Sequence, residues 1–162
     1  MSFRCVGLVM AATSPPDLDV PIIGRQREIA LLWESVETAT RGRLAVALLT
    51  GEPGIGKTRL LDAIATRALS AGASVLRGAA FDAEGMPPYL PFLEALGEHI
   101  RGTSPSDLRT QTGPLASVLS TILPELPTRL GTLPASYSLP PEQARLRLYE
   151  AVATFIAAIA DR

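Results

Sequence analysis

Several residue types are nearly absent from this chain. It has one cysteine, Cys5, one histidine, His99, and one lysine, Lys57. A lone cysteine excludes an internal disulfide and a cysteine-rich zinc centre, and it fits a reducing, cytoplasmic setting. Cys5 lies in the ragged start and His99 near the polar end of an expected helix. No Cys/His or Ser/His nucleophilic arrangement is therefore available, and His99 reads as a solvated side chain. Aromatic residues make up only 5%, the net charge is −1, and the arginines are dispersed among acids. That pattern carries no basic patch and implies no direct nucleic-acid contact. No apolar run approaches the roughly 18 residues of a membrane span. The run Val6 to Ala12 sits at the lower limit for a signal sequence, so residues 1–19 read as a frayed or disordered start.

What is present is a globular composition. Hydrophobic residues make up 47% and charged residues 19% of 162 positions, enough for one domain with a core. Of fifteen Lys and Arg residues only Lys57 is lysine. The single compact ammonium falls in "GEPGIGKT", Gly51 to Thr58, where a planar guanidinium would be bulky.

The flanking pattern places that stretch. Residues Ser14 to Pro21 read as a proline-rich linker. Ile29, Leu32, Trp33 and Val36 recur at i, i+3, i+4 and i+7, which predicts a helix from Arg25 to about Thr40, closed by Arg41 to Arg43. "LAVALLT", Leu44 to Thr50, is apolar throughout and too short for a helix. It reads as a strand buried on both faces. Leu60, Leu61, Ile64, Ala65 and Ala68 predict a second helix stopping at Gly72, and "SVLRG", Ser74 to Gly78, a second strand. Strand, loop, helix, strand is a βαβ unit with a parallel sheet. Beyond a proline-punctuated loop, a helix is expected from about Pro91 to Arg101. The stretch from Gly102 to Pro141 is expected to be irregular apart from a helical segment at Pro114 to Leu123. Leu148, Val152, Phe155, Ile156 and Ile159 form one stripe of a final helix.

"GEPGIGKT" matches G-x-x-x-x-G-K-[ST] at Gly51, Gly56, Lys57 and Thr58. Glycines let successive N–H groups turn inward around a phosphate, and the positive end of the next helix faces the same oxygens. Lys57 suits β- and γ-phosphate oxygens, and the Thr58 hydroxyl suits Mg²⁺. A sole lysine excludes the guanine-reading N-K-x-D motif, so the nucleotide preference leans to adenine. Phosphate transfer also needs a carboxylate at the end of a second buried strand. "FIAAIAD", ending at Asp161, continues the helical stripe, and "AAFD", ending at Asp82, is short. No catalytic residue is assigned.

The motifs, taken in order, resemble the AAA-type, STAND-class P-loop ATPases best known from large ATP-binding regulators of the LuxR type. "IIGRQREIALL" is similar to their G-R-x-x-E motif, with Gly24, Arg25 and Glu28 matching. "GEPGIGKTRLLDAIA" is similar to their phosphate loop and first helix, and "SVLRGAAFDAEGMPPYLPFLEAL" to their second strand and Y-x-P-F segment. "RLRLYEAVATFIAAIADR" resembles the helix before their Walker B strand. The resemblance covers about Val20 to Arg162. It implies an α/β, P-loop NTPase-like three-layer αβα fold, incomplete, with two strands plus helices. On this reading residues 20–162 are the N-terminal part of the ATPase domain, truncated before the Walker B strand.

The resemblance also implies ATP or ADP with Mg²⁺ on Gly51, Glu52, Pro53, Gly54, Ile55, Gly56, Lys57 and Thr58. Thr58 would ligate the metal, and Ile23 to Arg25 would lie against adenine. The function implied is a nucleotide-binding module of a signalling or transcription-regulating ATPase, unable to hydrolyse ATP alone. Other domains or chains would complete its fold. The family's sheet order would separate the two strands, with later strands between them. Two alternatives stay open: a free-standing P-loop phosphotransferase with Ser104 to Pro141 as its lid, and a non-binding remnant.

Overall fold

The structure, a computed structural model, describes residues 22–79, 88–134 and 138–161 in full and the backbone of residues 6–10. The chain divides into two compact units, Met1–Pro91 and Phe92–Arg162.

In the first unit, α1 spans Gln26–Thr40 and α2 spans Lys57–Ser70. Both follow the expected periodicity. Leu32, Leu60 and Ile64 are buried together, with Ile22, Ile29, Trp33, Val36 and Leu49 packed against them. Each helix ends where a glycine follows. Gly42 donates to the Ala39 carbonyl and Gly72 to the Leu69 carbonyl, both at 2.9 Å, which satisfies carbonyls the helix cannot reach. The guanidinium carbon of Arg67 stands 3.7 Å from the centre of the Trp33 ring, tying α2 to α1.

Two strands are present among the described residues, β1 at Val6–Met10 and β2 at Ser74–Gly78. They pair in parallel, Val6 opposite Ser74 and Met10 opposite Gly78, and α2 packs on both. The second strand is where the sequence puts it. The first is not. Val6–Met10 lies in the stretch expected to be frayed, whereas Leu44 to Thr50, expected as the buried strand, adopts no regular element. Leu44, Val46 and Leu48 are 92%, 85% and 87% exposed. A strand buried on both faces needs neighbours on both edges to take its N–H and C=O groups. Among the described residues none flanks 44–50. Only the half-buried Leu49 joins the core.

Asp62 of α2 is buried and pairs with Arg77 of β2. The pair fixes helix to strand through a carboxylate that could not be left alone in the interior. Gly78 ends β2 with no room for a side chain: a Cβ there would stand 2.0 Å from the Pro91 carbonyl oxygen.

The second unit is helical: α3 (Leu90–Gly102, which begins at the boundary), α4 (Pro105–Thr112), a 3-10 turn (Gly113–Leu115), α5 (Ala116–Leu119), α6 (Glu125–Leu130) and α7 (Pro141–Ala160). Its core is Phe155, Leu96, Ile100, Leu108, Leu119, Leu123 and Leu126, all fully buried. The helical segment expected at Pro114 to Leu123 is present as the 3-10 turn and α5, and much of the rest of the stretch, expected to be irregular, is short helix as well. The reason is where its prolines stand. Pro105, Pro114 and Pro141 occupy first-turn positions, where a missing N–H costs nothing. Ser104 caps α4, its hydroxyl accepting from the Asp107 N–H at 3.2 Å.

His99 also differs from expectation. It is half-buried, with Nε2 3.0 Å from Gln111 Oε1 and its ring edge-on to Phe155 at 6.0 Å. The last helix runs through "FIAAIA", so Asp161 caps a helix and does not end a strand. Asp82 lies outside the described residues. Among those described, no helix is long and apolar enough to cross a membrane.

Candidate functional site

The loop Gly51 to Gly56 connects the apolar run to α2, and every residue in it is exposed. Gly54 has φ 80° and Gly56 φ 91°, in the left-handed region that a side chain disfavours. Gly56 is the N-cap of α2 and supplies no side-chain cap. The first N–H groups of α2 are therefore left for another acceptor. Its carbonyl already takes the Leu60 N–H at 3.0 Å, so the helix is wound from its first turn.

Lys57 and Thr58 follow as the first two residues of α2, both half-buried. The Lys57 ammonium folds back over the loop, donating to the carbonyls of Gly51 and Glu52, each at 2.8 Å. A cation held by two neutral carbonyls gains less than one held by anionic oxygens, so the ammonium is well placed to exchange acceptors. Within the loop, Ile55 N–H bonds the Glu52 carbonyl at 3.4 Å.

Arg25 comes from thirty residues upstream, at the N-cap of α1. Its Nη1 donates to Glu28 Oε1 at 2.7 Å, and its Nη2 to the Ile55 carbonyl at 3.4 Å, long for a hydrogen bond. The structure thus brings together Arg25 and the loop residues Gly51, Glu52, Pro53, Gly54, Ile55, Gly56, Lys57 and Thr58. Ile23, which the resemblance set against adenine, is 82% exposed. Sequence reasoning matched Glu28 to a motif without giving it a task. Its three-residue spacing from Arg25 was the available signal for an ion pair. The hydrogen bond from Arg25 holds the Glu28 carboxyl below its usual 4.5, with a smaller effect from its own backbone N–H.

The donor set fits a phosphate chain: uncapped helix N–H groups, glycines free to turn, and one ammonium. For Mg²⁺ the chain offers the Thr58 hydroxyl. Among the described residues no group of three or more His, Cys, Asp or Glu could hold a metal. A separate groove of about 430 Å³ runs between α1 and the apolar run, lined by Leu31, Leu32, Ser35, Val46 and Leu48 among others.

The family model described as the AAA ATPase domain matches residues 21–162. No curated protein matches the chain. No solved structure matches it either.

Proposed function

Since the chain belongs to the AAA ATPase domain family, we propose that residues 20–162 form the N-terminal part of such a domain, binding ATP or ADP with Mg²⁺ in a STAND-type signalling or transcriptional regulator of the LuxR kind. The observation that carries the binding reading is the Lys57 ammonium, poised on two loop carbonyls beside the uncapped start of α2. On binding, the loop amides and Lys57 take the phosphate oxygens, and Thr58 takes the magnesium. Mg²⁺, when bound, supplies neutralising charge on those oxygens.

Binding without turnover is the reading for this chain. Of the two acids weighed for the metal, Asp161 caps a helix. The exposed run 44–50 supports a further part of the proposal: strands from other domains or chains pair with it and complete the sheet. A single cysteine fits a cytoplasmic setting. The phosphotransferase alternative gains nothing from the structure. Its candidate lid is largely packed helix whose Leu108, Leu119, Leu123 and Leu126 are buried.

The test is a thermal melt with and without Mg-ATP and Mg-ADP, beside Lys57→Ala. A ligand at about 100 times its Kd adds roughly 2.7 kcal/mol to a folded state it alone binds. A rise in Tm in the wild type, lost in Lys57→Ala, is expected. A melt indifferent to both nucleotides would sink the binding reading and favour the remnant.

A further inference from the structure

The loop has one peptide whose orientation matters and which its own residues hold weakly. The 55–56 peptide is planar and trans, so the Ile55 C=O and the Gly56 N–H point in opposite directions. Gly56 has no Cβ and sits at φ 91°, so no side chain of its own resists a flip of that peptide. Arg25 reaches the carbonyl from outside the loop. With the carbonyl drawn toward Arg25, the Gly56 N–H is directed away from Arg25. Arg25 can do this only if its own guanidinium is aimed, and Glu28, one turn along α1, takes the other branch of the fork at 2.7 Å.

We propose that Glu28 and Arg25 are positioning residues for the phosphate loop: Glu28 aims Arg25, and Arg25 sets the 55–56 peptide so that the Gly56 N–H faces a bound phosphate. This rests on the nucleotide reading above, but differs from it in one respect. The resemblance sets Arg25 against adenine; here it serves the loop, and the base is irrelevant to its effect. Occupancy of the loop is thereby linked to the start of α1.

The experiment measures affinity of the whole chain for two probes, Mg-ATP and Mg-tripolyphosphate, the second having no base. Wild type, Glu28→Ala, Glu28→Gln, Arg25→Ala, Arg25→Lys and the double Ala variant are compared, with the Gly56 amide followed by ¹H–¹⁵N NMR. Each Ala variant is expected to weaken both probes about fivefold, as the loss of one modest hydrogen bond implies. The double variant loses no more than Arg25→Ala alone. Glu28→Gln, which keeps an acceptor, retains most of the affinity, while Arg25→Lys, which cannot fork, behaves as Arg25→Ala. The Gly56 amide signal moves in Glu28→Ala although residue 28 does not touch it. A loss confined to Mg-ATP would overturn the proposal and return Arg25 to the base. Unchanged affinities, or losses that multiply in the double variant, would also overturn it. A wild type that binds neither probe would remove the nucleotide reading itself, and the proposal with it.

Discussion

At the scale of single residues, the site is held by half-buried and exposed groups whose interactions are individually small. Arg25 and Glu28 have side chains 38% and 34% exposed, so their pairing is screened by water and salt. Its signature is pH dependence. Glu28 is held below 4.5 in the folded chain, chiefly by the hydrogen bond from Arg25. A carboxyl with a lowered folded value contributes stability that is present above the unfolded value and is lost as pH falls through the folded one. The Tm gap between wild type and Glu28→Gln should therefore be steady at neutral pH and close below pH 4.5. A gap that widens on acidification would mean the carboxylate is not held by Arg25. His99 shows how a single residue escapes sequence reasoning. Its place in a helix was readable, but its Gln111 partner comes from another helix that the prolines had disguised.

At the scale of elements, periodicity did most of the work. The bounds of α1, α2, β2 and α7 follow from apolar spacing and from glycine or proline at their ends. The helical segment expected at Pro114 to Leu123 contains α5, but the short helices α4 and α6 escape notice where proline reads as a breaker, while here Pro105 opens the first turn of α4. The strand expected at 44–50 was misplaced for a different reason. Its composition suits burial, but pairing is a property of neighbours, which composition does not reveal. Among the elements, α2 and β2 are joined by the Asp62–Arg77 pair. Arg77→Ala leaves the 3%-exposed Asp62 without its cation. It should destabilise the chain by roughly 2 kcal/mol, below the range for fully buried pairs since Arg77 is partly solvated. The urea midpoint reads this directly, and a shift near zero would mean that water replaces the arginine at no loss.

At the scale of the whole molecule, two features stand out: a division into two units, and an apolar run whose Leu44, Val46 and Leu48 are exposed. On the proposed reading, in which other strands complete the sheet, the exposed Leu44, Val46 and Leu48 mark the run as the surface for contact with other β segments. Leu48→Lys should leave the unfolding free energy from a urea titration within about 0.5 kcal/mol of wild type, as for an exposed position. The same change should reduce concentration-dependent association in light scattering; association equal to wild type would mean that the run is not the sticky surface. The Trp33–Arg67 stack has a practical corollary. The only indole of the chain lies between α1 and α2 with a guanidinium on its face. Its emission therefore follows the first unit alone, brightening or reddening as those helices part, while far-ultraviolet ellipticity sums both units. Recorded on one sample, the two optical curves separate the unfolding of the phosphate-loop half from that of its helical companion without any label.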